Sequence, residues 1–181
     1  VAGFKGESND APTEIKIELP VDAHLPHEYV PGERLRLEAY KKLAAVQDEA
    51  GLALIQEELV DRYGAPPAPV QNLLEVARLR TVARAAGIGD IAVQGKFVRF
   101  SPVHLRESQV LRLQRLYKGS LVKDALGQIL VTAPMTAPIG GQIKRDRDII
   151  TWATEVIRAV VMDNVSEAAR VATGGPAGAP R

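Results

Sequence analysis

At 181 residues the chain has the length of one ordinary domain with a sizeable core. Hydrophobic residues make up 46% and charged residues 25%, and the net charge of +1 signals neither a polyanion binder nor an acidic tail. With no cysteine, disulfides, thiol catalysis and thiolate metal sites are excluded, and no apolar run approaches the ~20 residues of a membrane helix.

The opening, VAGFKGESNDAPTE, is polar and carries no signal-peptide pattern, and it lacks an initiator Met, as expected of a piece of a longer chain. Gly3, Gly6, Ser8, Asn9, Asp10 and Pro12 make residues 1–13 an expected linker. EIKIELP then alternates Ile15, Ile17 and Leu19 against Lys16 and Glu18, a half-buried strand stopped by Pro20. Three prolines mark 20–31 as an extended crossing loop. A helix is expected from about Glu33 to Gln47, with Leu35, Ala39, Leu43 and Val46 on one side and Leu37 and Tyr40 widening the stripe.

A second helix, about Leu52 to Tyr63, repeats Leu52, Ile55, Leu59 and Tyr63 at helical spacing. Gly64 supplies the left-handed position that ends it, and Pro66, Pro67 and Pro69 forbid its continuation. Pro69 suits the first turn of a third helix, reaching Ala86, whose stripe is Val70, Leu73, Leu74 and Ala77. The result is a stiff helix–corner–helix. Arg80 follows this stripe, so its stem is expected to pack and its head to be paired, a structural role.

From Asp90 the pattern changes. IAVQGKFVRF reads as a hairpin around Gln94-Gly95, followed by a short helix over about 107–117 and strand candidates SLVK and QILVTA. Residues 134–145 read as a loop. The last helix aligns Ile149, Ala153, Val156, Ile157 and Val160, with Asp146 or Asp148 as cap. A domain over 14–163 and a flexible tail over 164–181 follow. The fold class is α+β: a helical bundle with a Pro-rich helix–corner–helix packed on a small, mainly antiparallel β-sheet, which the strand near residue 15 joins from the other end of the chain.

Chemistry is sparse. The nearest phosphate-loop match, Gly89 to Phe97, has five intervening residues before Gly95-Lys96, puts Phe97 where a hydroxyl is needed, and lies in a strand, so no nucleotide-binding residue is assigned. His24 and His27 sit in a proline-broken loop with no third ligand nearby, and no metal ligand or catalytic residue is assigned. Arg106, Arg112, Arg115, Lys118 and Lys123 form a basic cluster, read as a solvated face or as an accessory nucleic-acid surface over 106–123. Glu57, Glu58 and Asp61 make an acidic face turned away from Ile55 and Leu59. Arg62 follows Glu58 by four residues, so a local ion pair and a docking face for a basic partner both fit.

From Glu14 to about Leu79 the chain resembles the C-terminal domain of bacterial transcription-repair coupling factors (the Mfd family). The likeness is carried by EIKIELP, LPHEYVP, RLRLEAYKKLA and, above all, EELVDRYGAPPAPVQNLLEVARLR. The family pattern is a strand, a Pro-x-x-aromatic crossing, an Arg-Leu…Tyr-Lys helix and a Glu-Leu-x-Asp-Arg-aromatic-Gly corner. The resemblance implies a DNA-repair function without catalysis in this chain. Its parent would be a bacterial, cytoplasmic, ATP-dependent, helicase-like translocase on DNA that displaces stalled RNA polymerase and recruits UvrA. ATP and magnesium would belong to the parent's motor domains, and no cofactor is expected here. The domain would dock on the parent's N-terminal UvrB-like module, masking the UvrA surface and restraining the motor. Glu57, Glu58, Asp61 and Arg62 would dock, the resemblance bearing most directly on Glu58 and Asp61 within the Glu-Leu-x-Asp-Arg corner motif, with Gly64, Pro67 and Pro69 as structural corner.

Overall fold

The computed structural model describes residues 14–162, so the linker expected over 1–13 and the tail expected over 164–181 lie outside the described residues. Strand β1 (Lys16–Glu18) opens the chain, followed by helices α1 (Glu33–Ala44), α2 (Glu49–Tyr63) and α3 (Ala68–Ala85). A hairpin of β2 (Asp90–Gln94) and β3 (Phe97–Ser101) leads to α4 (Glu107–Leu116), then β4 (Leu121–Lys123), a short helical turn and β5 (Gln128–Thr132). Helix α5 (Asp146–Val156) closes the fold and runs on as a wider π-turn over Ile157–Val161.

The strands form one sheet in the order β1-β2-β3-β5-β4. All pairings are antiparallel except β1–β2, which is parallel, so β1 joins from the far end of the chain as an edge. The fold is thus the α+β architecture expected, with a mainly antiparallel sheet. Register puts Ile91, Phe100 and Ile129 in one row, and with Val98 and Val131 they make the inner face of the sheet.

Helix α3 organises the packing. Val76, Leu79, Val82 and Ala83 join the inner sheet face, Leu113 of α4 and Ile149, Ala153 and Val156 of α5 in one core. Val70, Leu73, Leu74 and Ala77 join Leu43, Leu52 and Leu59 of α1 and α2 in a second core. The predicted stripe is therefore one of two. A helix wedged between two cores is apolar nearly all round, which a single-stripe reading misses.

The crossing segment closes the second core. Leu25, Tyr29 and Val30 are buried in it, and the Tyr29 hydroxyl donates to the Gly64 carbonyl at 2.9 Å. The Leu25 N–H donates to the Tyr40 hydroxyl at 2.8 Å, and the Asn72 side chain donates to the Asp22 carbonyl at 3.0 Å.

Several expectations shift. Helix α1 stops at Ala44, and α2 begins at Glu49 because the Asp48 carboxylate accepts the Gly51 N–H at 2.8 Å as an N-cap. Leu37 does not widen the α1 stripe; it is exposed. Neither Asp146 nor Asp148 caps α5. Arg145 is the flanking residue, and Asp146 spends its carboxylate on the Asp22 N–H at 2.8 Å, tying the last helix to the crossing segment.

The corner differs in one detail. Gly64 does end α2, donating its N–H to the Val60 carbonyl at 2.9 Å, but its φ of 88° comes with ψ of −166°. That is not the left-handed helical well; it is a region open essentially to glycine alone. Pro67 flanks α3 with an extended ψ of 170°, and Pro69 sits in the first turn as expected.

Candidate functional site

Helix α2 is built so that one side packs and the other faces out. Leu52 and Leu59 are buried and Ile55 and Tyr63 half-buried toward α1, α3 and the crossing segment. The opposite side carries Leu54, Glu57 and Asp61, spaced three and four apart and all exposed. Glu57 and Asp61 make no hydrogen bond or ion pair with any described residue.

Glu58 departs from the expected ridge. It accepts from Lys42 of α1 at 2.7 Å and lies 3.4 Å from Arg62. It belongs to the α1–α2 contact, because its position on the helix turns toward α1 and a lysine stands there to meet it. Arg62 is committed too, with its guanidinium 5.3 Å over the Tyr63 ring. The local-pair reading thus holds for Glu58 and Arg62, while Glu57 and Asp61 remain a free acidic pair. The sequence reading missed Leu54. Its signal was an apolar side chain standing off the Leu52–Tyr63 stripe.

Lys42, hydrogen-bonded to the Glu58 carboxylate, is the main cause that holds its pKa below the usual glutamate value, with Arg62 adding to it. A depressed carboxylate stabilises the fold above its unfolded pKa, and the contribution is lost as pH falls through the folded value. Thermal melts from about pH 7 down to about pH 3 are expected to show this loss, and Lys42→Met to remove that part of the acid dependence. An identical acid profile in the variant would contradict it. The cleft between these two helices has a volume of only about 20 Å³, room for roughly one water.

Other candidates resolve differently. The Arg80 head is not paired; it makes no hydrogen bond or ion pair within the described residues. The Arg106 N–H donates to Gln109 at 2.8 Å at the start of α4, and Gln109, buried, donates to the Val160 carbonyl at 3.0 Å. Arg115, Lys118 and Lys123 are exposed, whereas Arg112 is half-buried and engaged. His24 pairs with Asp22 at 2.9 Å. Among the described residues no three His, Asp or Glu side chains converge as a metal site, and no helix is long and apolar enough to cross a membrane.

The TRCF domain family model matches residues 19–112, more than half of the chain. The chain belongs to the TRCF domain family. Transcription-repair-coupling factors of Mycobacterium bovis and Mycobacterium tuberculosis are each 39% identical to it over 152 residues, covering 83% of this chain and 12% of those proteins. The factor of Staphylococcus haemolyticus is 37% identical over 116 residues, 64% of this chain and 10% of its own length. This TRCF domain therefore spans about 12% of the length of its mycobacterial relatives. A crystal structure of the C-terminal domain of a transcription-repair coupling factor shares the fold, with a TM-score of 0.63 at 18% identity, covering 86% of this chain and 96% of that one. The family match runs past Leu79, where the motif-level likeness ends, through β2, β3 and half of α4.

Proposed function

We propose that this TRCF domain is a non-catalytic, autoinhibitory docking domain of a cytoplasmic transcription-repair coupling factor. It binds the parent's N-terminal UvrB-like module, covers the surface UvrA would use, and restrains the DNA translocase that displaces stalled RNA polymerase. The observation that carries the reading is the acidic pair Glu57 and Asp61, exposed four residues apart on α2 without a partner among the described residues. Leu54 beside them supplies an apolar contact, so the matching surface is basic with an apolar recess.

The energetics suit a contact that must open. Driving a closed state almost fully open takes a bias of ~5.5 kcal/mol. Two rim ion pairs at up to ~1 kcal/mol each, with partial burial of one leucine below the ~1.5–3 kcal/mol of full burial, keep the closed state within that reach. ATP and magnesium belong to the parent's motor under this reading.

The test is Glu57→Lys with Asp61→Lys in the full-length parent. UvrA binding and basal ATPase are expected to rise several-fold, with the melting of the isolated domain unchanged, since neither side chain has a partner among the described residues. Unchanged UvrA affinity would overturn the docking role. Glu58→Lys is the wrong probe, because it also breaks the contact with Lys42. An accessory nucleic-acid role for 106–123 would show instead as strongly salt-dependent DNA binding by this chain alone.

A further inference from the structure

A cleft of about 520 Å³ runs along β1, lined by Glu14, Ile15, Lys16, Ile17 and Glu18 and walled by Arg80 and Arg84 of α3. Five consecutive residues ending in β1 line it, with Ala44 at the end of α1, and among the described residues β1 ends the strand order, so the cleft follows that edge of the sheet. No α2 residue takes part, and the site is independent of the docking reading above. The backbone is set for pairing. The Lys16 N–H donates to the Gly89 carbonyl at 3.0 Å. Alternation along a parallel ladder then turns the N–H and C=O of Ile17 away from β2, toward the cleft.

The charges are arranged by face. Ile15 and Ile17 belong to the inner side of the sheet, where α3 packs, and this is the side of Arg80 and Arg84, one helical turn apart. Glu14, Lys16 and Glu18 alternate onto the outer side. Burial lowers the pKa of Arg80, and neighbouring Arg84 lowers it further, while Glu14 opposes this from beyond ion-pair distance. A half-buried guanidinium without a bonded partner among the described residues, beside the edge strand, favours a ligand that brings both carboxylates and backbone.

We propose that β1 accepts an additional strand from an acidic extended segment, whose backbone pairs with Ile17 and whose inward-facing carboxylates meet Arg80 and the α3 wall. Neutral side chains occupy the alternate positions, facing the Glu14, Lys16 and Glu18 row. The groove thereby selects a partner by strand pairing plus charge at every second residue.

The probe is a blocked hexapeptide of alternating valine and glutamate, titrated into the 181-residue chain. Amide shifts are expected to centre on 14–18, with hydrogen exchange at the Ile17 N–H slowed about tenfold at saturation. The lysine counterpart should not bind. Arg80→Gln, which keeps a polar stem, should weaken binding about tenfold. Methylating the peptide nitrogens that face β1 should abolish binding, whereas methylating the alternate nitrogens should not. An unprotected Ile17 amide, equal binding of the lysine peptide or of both methylated isomers, or an affinity unmoved by Arg80→Gln would each overturn the proposal.

Discussion

Leu79→Ala is expected to lower the unfolding free energy by about 3 kcal/mol, because Leu79 is fully buried where α3 meets the sheet. Truncation there removes transfer free energy and leaves a cavity between rigid neighbours, a β-sheet on one side and α5 on the other, so little relaxation can offset it. The loss should not stay in that core. Leu74 and Ala77, on the same helix, serve the second core with α1 and α2. An α3 that frays on one side cannot hold the other. Hydrogen exchange of α1 and α2 amides should therefore accelerate together with that of β3 and β5. Trp152, whose ring lies 6.1 Å from that of Phe100, reports the sheet core by fluorescence, and the Tyr29–Tyr63 pair reports the other. One coincident transition by both signals is the expected result. Two separate transitions, with only the tryptophan signal shifted, would show that α3 does not couple the cores.

This coupling explains what the sequence revealed and what it hid. Stripes fixed by a local period were legible: Leu52 to Tyr63 on α2, Val70 to Ala77 on α3 and Ile149 to Val160 on α5 all point inward. So was the corner, since glycine and proline punctuate a chain whatever surrounds it. Leu37 shows the limit, because an apolar side chain next to a stripe is buried only if something packs against it, and nothing local says so. The second stripe of α3 was hidden for the converse reason: Val76, Leu79 and Val82 face strands that arrive later in the chain. Within the candidate site, Glu57 and Asp61 were legible as exposed acids, but the fate of Glu58 depended on Lys42, sixteen residues away. Asp146 looked like a helix cap and instead holds a backbone N–H 124 residues distant. Arg80 was expected to be paired, since buried charges usually are. It lines the cleft beside β1, a tertiary feature, and among the described residues it has no bonded partner.

Gly64→Val is expected to cost about 3 kcal/mol, lowering Tm by roughly 6–10 °C for a domain of this size. Nothing lies within 4 Å of where a Cβ would stand, so the Cβ itself meets no clash and the cost it brings is backbone strain. At φ 88° and ψ −166° an L-residue crowds its own carbonyl and amide neighbours, and a β-branched side chain worsens this. Gly64→Ala should cost about 1–2 kcal/mol for the same reason. Gly64→Asn separates two descriptions of the corner. Asparagine tolerates the left-handed helical well, so it would be nearly neutral if Gly64 were an ordinary C-cap, but at this ψ it should be as costly as alanine. A neutral asparagine variant would show that the corner is misdescribed. The consequence reaches the proposed docking face, because the Tyr29 hydroxyl shares its one proton between the Gly64 carbonyl at 2.9 Å and the Leu59 carbonyl at 3.2 Å and so ties down the end of α2. If a strained residue relaxes by turning the 64–65 peptide, Tyr29 loses the nearer of its two acceptors and keeps only the Leu59 carbonyl, the last turn of α2 loosens, and Asp61 is no longer presented at a fixed angle beside Glu57. Under the proposed docking role, the valine variant should then release autoinhibition in the parent while its carboxylates at Glu57 and Asp61 remain intact. Full autoinhibition alongside a lowered melting temperature would mean that the docking contact needs the charges but not the rigidity of the corner.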